Sequence, residues 1–176
     1  MKYYTLKMAG LVRELPVVSL KKGLKVASVN LLGDGELVGI LAEKLAKRIA
    51  KFQFDFLIGP EVKVVPLLEE LSRLLGKKRY IVCRKEIHGY MVSPVRSETH
   101  PMLVIDGQDA LRLRGKKVVV VDDVVSSGKT MEAIAGLMAQ LDAAVAAKVS
   151  LFKQGDLRDT ALKDLIYLKK LPVFAS

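Results

Sequence analysis

Tryptophan is absent from this sequence, cysteine and asparagine occur once each, and histidine twice. The lone thiol, Cys83, has no internal partner, so no disulfide framework holds the chain. With two histidines it also falls short of a typical four-ligand zinc site. No apolar run approaches the roughly 18 residues a bilayer-spanning helix requires, and the N-terminus lacks the basic-then-apolar pattern of a secretory signal. A soluble protein of a reducing, cytoplasmic compartment, without membrane partners, is the expectation. One Asn and four Gln beside abundant Lys, Glu and Leu lean the composition towards a thermophilic source. Negative charge is the scarcer sign: 19 Asp plus Glu against 29 Lys plus Arg leave a net charge of +10. Such a surface attracts phosphorylated metabolites, nucleic acid or acidic partners. The densest basic runs, residues 77–79 and 112–117, stand just before strand-like segments, where solvated charges commonly flank a buried strand. Nucleic acid is therefore not the favoured partner.

No internal repeat, low-complexity tract or Pro/Gly/Ser-rich linker divides the 176 residues, which are expected to fold as one domain. Short apolar runs alternate with longer amphipathic segments, the pattern of an α/β fold with a doubly wound, mainly parallel sheet and flanking helices. Leu37, Ile40, Leu41, Leu45 and Ile49 recur at helical spacing behind Asp34-Gly35. FDFLIG, residues 54–59, reads as a buried strand. Pro66 opens a second helix with Leu67, Leu68, Leu71, Leu74 and Leu75 on one face, and Gly76 closes it. Further strands are expected at RYIVC (79–83), KVVVV (117–121) and VAAKVSLF (145–152), with MLVID and a turn at Asp106-Gly107 before the second of these, and a helix over residues 130–141. Between residues 84 and 101 the periodicity fails, and Gly89, Pro94 and Pro101 interrupt the chain. An irregular stretch of that length suits a binding loop or lid.

The most informative segment is VVVVDDVVSSGKT, residues 118–130. Its ending resembles a nucleotide-triphosphate P-loop, but the first glycine of that pattern would fall at Asp123, preceded by Asp122. Two carboxylates do not cradle a polyphosphate. In an open α/β sheet, ligands bind beyond the carboxyl ends of strands, where this segment puts the pair. Vicinal ribose hydroxyls would supply donors to both carboxylates. Ser126, Ser127 and Gly128 then turn into a helix at Thr130, whose first N–H groups and positive dipole end suit a phosphate monoester. The spacing points to a ribose 5-phosphate, with its diol on the aspartates and its phosphate on the loop.

This segment resembles the phosphoribosyl pyrophosphate motif of type I phosphoribosyltransferases, and the adenine/purine branch is the most similar. DFLIGPEVK (55–63) is similar to that family's pyrophosphate strand and loop. Arg84-Lys85 matches the basic pair opening its mobile loop, and DALRLRGKKVVVVDD (109–123) the run into the motif. The resemblance implies a core of about 36–150, with residues 1–35 and 151–176 as substrate-side additions forming a small hood. It implies displacement of pyrophosphate from the sugar by a purine ring nitrogen, with Mg²⁺ carried mainly on substrate oxygens, phosphoribosyl pyrophosphate and a purine base as partners, and a homodimer. Asp122, Asp123 and Lys85 would be catalytic. Asp122, Asp123, Val124, Val125, Ser126, Ser127, Gly128, Lys129 and Thr130 would hold the phosphoribosyl group, and Glu61, Val62, Lys63, Arg84 and Lys85 the pyrophosphate. Residues 86–101 would close over the site. His88 and His100 receive no role, Tyr90 either covers the substrate or packs, and Phe152 is either a base-stacking residue or core.

Two departures stand out. The pyrophosphate loop carries Lys63-Val64 where adenine phosphoribosyltransferases have Arg-Gly, and a β-branched residue there is expected to change how the loop presents its N–H groups. SPVRSETHP (93–101) also lacks the family's acidic, Tyr-containing loop pattern. Adenine-preferring purine transfer is the leading reading. A sensor of phosphoribosyl pyrophosphate resembling purine operon repressors, or a relative acting on another base such as orotate, are the alternatives.

Overall fold

A computed structural model of the chain describes residues 2–21, 23–155 and 162–174. In chain order its elements are β1 (Tyr3–Met8), β2 (Leu11–Lys21), β3 (Leu24–Ala27), α1 (Gly35–Ile49), β4 (Phe56–Pro60), α2 (Val65–Leu74), β5 (Tyr80–Cys83), β6 (Val95–Arg96), β7 (Val104–Ile105), α3 (Gly107–Leu113), β8 (Lys117–Val125), α4 (Lys129–Gln140), β9 (Ala144–Gln154), β10 (Leu165–Leu171) and β11 (Val173–Phe174).

Five strands form a parallel sheet in the order β10-β9-β8-β4-β5. Val118, Val119, Val120 and Val121 are fully buried in its centre. Because successive strand side chains face opposite ways, Val119 and Val121 join Leu37, Leu41 and Leu45 of α1 and Leu67, Leu68 and Leu71 of α2. Val118 and Val120 join Met131, Ile134 and Leu137 of α4 on the other face. A strand covered on both sides must be apolar throughout, which explains its valine run.

The helices begin where their caps put them. Asp34 accepts the Leu37 N–H at 3.1 Å, a cap of about 1 kcal/mol, and Pro66 sits in the first turn of α2. The turn expected at Asp106-Gly107 is in fact a short helix: Asp106 accepts the Gln108 N–H at 2.9 Å and starts α3.

The N-terminal residues and β11 build a separate antiparallel sheet, β1-β2-β3-β11, above the carboxyl ends of the central strands. Arg13 of β2 ties it to the core through Asp34 at 2.7 Å and Glu36 at 2.6 Å. Of the C-terminal residues set apart as a substrate-side addition, β10 completes the central sheet and only β11 joins this hood. Residues 156–161 lie outside the described residues. Phe152 is fully buried in the α1 side of the core, which removes it as a base-stacking candidate.

Candidate active site

The first strand of the central sheet, β4, lies beside the third, β8, so the chain leaves in opposite directions from these neighbours. That is the switch point at which open α/β sheets take ligands. Pairing between the two strands ends at Ile58 and Val120, whereas β8 stays paired with β9 as far as Val125 and Lys153. The crevice therefore opens beside Asp122 and Asp123. These residues lie within β8, which runs four residues past the end expected from its valines. Close approach of the strands demands Gly59: a Cβ there would fall 2.5 Å from the Val121 carbonyl oxygen.

Asp122 is 8% exposed. Burial, reinforced by the charge of Asp123, raises its carboxyl well above the ordinary range, and the Lys85 ammonium partly offsets this. One oxygen of Asp122 accepts the Asp123 N–H at 2.9 Å, and one oxygen of Asp123 accepts the Val124 N–H at 2.9 Å. The main chain thus fixes both carboxyl groups in adjacent positions.

Beyond Val125 the chain turns through Ser126, Ser127 and Gly128 into α4. Gly128 has φ +78°, and a Cβ there would meet Leu162 at 2.5 Å, so only glycine fits this turn. The helix has no side-chain cap bond, which leaves its first N–H groups available to an anion. A small cavity joins Asp122 to Ser126, Ser127, Gly128 and Thr130. Lys129 is exposed, Val125 is buried, and Val124 pairs with Phe152 of β9.

A larger cleft of about 870 Å³ begins at Ser126 and Ser127 and extends beneath Tyr4, Leu24 and Val26 of the hood. Gln154 and Lys170 add polar groups to its wall. Gln154 is 7% exposed, and its amide donates to the Pro172 carbonyl at 3.2 Å. Apart from Ser126 and Ser127, none of these cleft residues was singled out from the sequence. Alternating apolar residues around the Ala9-Gly10 turn were the available sign of the hood strands.

The candidate pyrophosphate residues lie on the loops after β4 and β5. Glu61 accepts the Lys85 N–H at 2.7 Å and the Arg84 guanidinium at 3.1 Å. Burial pushes its carboxyl up, but the Lys85 N–H and the Arg84 guanidinium overcome that and hold it below the ordinary range. The Glu61-Val62 peptide is cis, and Val62 is exposed. The Lys63 ammonium donates to the Val29 carbonyl at 3.2 Å. Val64 is unstrained, with φ −81° and ψ −14°, and packs its buried side chain towards Gly59 and α2. No backbone strain accompanies the β-branched residue here.

The segment read as a binding loop or lid, residues 86–101, is partly built into the fold. β6 and β7 pair antiparallel, and buried Ser97 accepts the Leu103 N–H at 2.8 Å. Val92 donates to Asp106 at 2.9 Å, and His88 stacks on Tyr90 at 5.3 Å.

A family model described as phosphoribosyl transferase domain matches residues 30–172. An adenine phosphoribosyltransferase of Mycoplasma mobile is 28% identical over 81% of each chain. HGPRTase-like protein 3 of Haloterrigena turkmenica is 31% identical over 70% of this chain and 66% of its own. The crystal structure of adenine phosphoribosyltransferase from Thermoanaerobacter pseudethanolicus superposes with a TM-score of 0.74 at 28% identity, covering 89% of this chain and 95% of that one. With that family model matched over most of its length, and an adjacent carboxylate pair, an open helix start and a switch-point crevice around β8, this chain belongs to the phosphoribosyl transferase family.

Proposed function

We propose that the protein transfers the phosphoribosyl group of phosphoribosyl pyrophosphate to a purine base, adenine foremost, yielding a nucleoside monophosphate and pyrophosphate. The observation carrying this reading is the continuity of the site. The Ser126–Ser127 turn belongs both to the small cavity containing Asp122 and to the large cleft under the hood. A sugar held at the turn thereby has its phosphate on α4, its diol beside the aspartates and its anomeric carbon open to a base.

As the bond from the anomeric carbon to pyrophosphate breaks, the sugar gains positive charge and the leaving group negative charge, and the ring nitrogen bonds to that carbon as its own proton passes to the departing pyrophosphate. Stabilising both is an electrostatic task. Asp122 and Asp123 accept the diol and lie on the side of the cationic sugar. Ser126, Ser127, Gly128 and Thr130 hold the 5-phosphate. Arg84, Lys85 and Lys63 attract the leaving group, and the hood excludes water from the base.

Among the described residues no group of three or more His, Cys, Asp or Glu is arranged to enclose a metal. Mg²⁺, held chiefly by substrate oxygens, would neutralise charge on the pyrophosphate. Exposed Tyr90, Val92 and Leu111 adjoin around two neighbouring hollows and support a homodimer formed through them.

Calorimetric titration of phosphoribosyl pyrophosphate into wild type and Asp123→Asn tests the assignment. The variant is expected to bind at least about tenfold more weakly while keeping its melting temperature. Equal affinity in both proteins would overturn the diol assignment.

A further inference from the structure

Glu61 stands among the donors assigned to an anionic leaving group, and the inference drawn from it rests on that assignment. A carboxylate does not bind pyrophosphate directly, since anion repels anion. It does want the same partners. One Glu61 oxygen takes the Lys85 N–H at 2.7 Å and the other the Arg84 guanidinium at 3.1 Å, while its own N–H donates to the Cys83 carbonyl at 2.8 Å. Charge-assisted bonds of this kind are the ones a phosphate oxygen forms with arginine and with backbone N–H groups. The contact also crosses the site, because Glu61 follows β4 whereas Arg84 and Lys85 follow β5.

We propose that the Glu61 carboxylate is an internal stand-in for pyrophosphate. In the free protein it holds Arg84 and the Lys85 N–H where an incoming phosphoanhydride takes them over, and it reclaims them as pyrophosphate departs. Glu61 is thus a positioning residue whose competition speeds release of one product. The role suits the geometry: its side chain is 17% exposed against 35% for Arg84, so the pair is near enough to solvent to exchange partners. Lys85 keeps its ammonium free of this contact, with its charge acting on Asp122.

Calorimetric titration of Mg²⁺-pyrophosphate into wild type, Glu61→Gln and Glu61→Ala tests this, with ribose 5-phosphate as the reference ligand. Removing the charge is expected to tighten pyrophosphate binding about fivefold and leave ribose 5-phosphate binding unchanged. Arg84→Gln in the Glu61→Gln background should abolish the gain. In turnover, Glu61→Gln should show stronger product inhibition by pyrophosphate and a lower kcat with a lower KM for phosphoribosyl pyrophosphate. A second measurement needs no variant: the Lys85 amide resonance of wild type should move on adding Mg²⁺-pyrophosphate but not ribose 5-phosphate. Unchanged or weaker pyrophosphate binding by both variants, with ribose 5-phosphate still bound, would overturn the stand-in and leave the transferase reading intact. A wild type that binds neither ligand would overturn both.

Discussion

Asp122 combines the role proposed for it with an energetic cost that can be measured. In the unfolded chain its carboxyl ionises at the ordinary value of 3.8, but in the fold burial and Asp123 raise it well above that. Below the unfolded value both states are protonated and the site costs nothing. As pH rises from there through the folded value, the unfolded state loses its proton first and folding loses stability. Asp122→Asn should therefore melt about 2 °C or more higher than wild type at pH 7, with the gain vanishing towards pH 3, while losing phosphoribosyl pyrophosphate affinity. Scanning calorimetry across that range checks it, and no gain at neutral pH would contradict the burial argument. Cys83 offers a second test at this scale. It is fully buried, and burial pushes its thiol up to about 12. Native protein should resist thiol alkylation at pH 8, as read by mass spectrometry, and react fully once unfolded.

Glycine positions separate what an element needs locally from what its neighbours impose. Gly39 lies in α1 with no atom within 4 Å of a built Cβ, so Gly39→Ala should stabilise by about 0.4–1 kcal/mol. Gly59→Ala drives a methyl against the Val121 carbonyl at 2.5 Å, and should destabilise by more than about 1 kcal/mol and impair phosphoribosyl pyrophosphate binding. Denaturant titration of the two variants gives opposite signs if the strand contact is real. The same contrast explains what could be read from the sequence. The valine run, the α1 and α2 faces and the 126–130 turn carry local signals, namely continuous apolarity, helical spacing and a glycine before a helix. Extension of β8 through two aspartates has no such signal, because β9 supplies the pairing that keeps them in a strand. α3 is only seven residues long and depends on Asp106. The hairpin of β6 and β7 depends on Ser97, a contact between residues brought together by the fold. The Gln154–Pro172 bond likewise joins residues 18 apart, so the cleft wall was invisible in either segment alone.

At the scale of the whole molecule, the hood and the central sheet are joined by Arg13 to Asp34 and Glu36, and they enclose the cleft between them. Tyr90, Val92 and Leu111 remain exposed around two adjoining hollows. If two copies pair there, light scattering should report about 39 kDa, twice the chain mass of 19.4 kDa, and Leu111→Glu should return the protein to a monomer. The assay that bears most directly on the account is nucleotide formation from phosphoribosyl pyrophosphate and Mg²⁺ with adenine, hypoxanthine, guanine, xanthine and orotate offered separately. Adenosine monophosphate and pyrophosphate are expected in equal amounts, with adenine the preferred base. Absence of nucleotide with every purine, in a sample that binds phosphoribosyl pyrophosphate, would contradict that expectation.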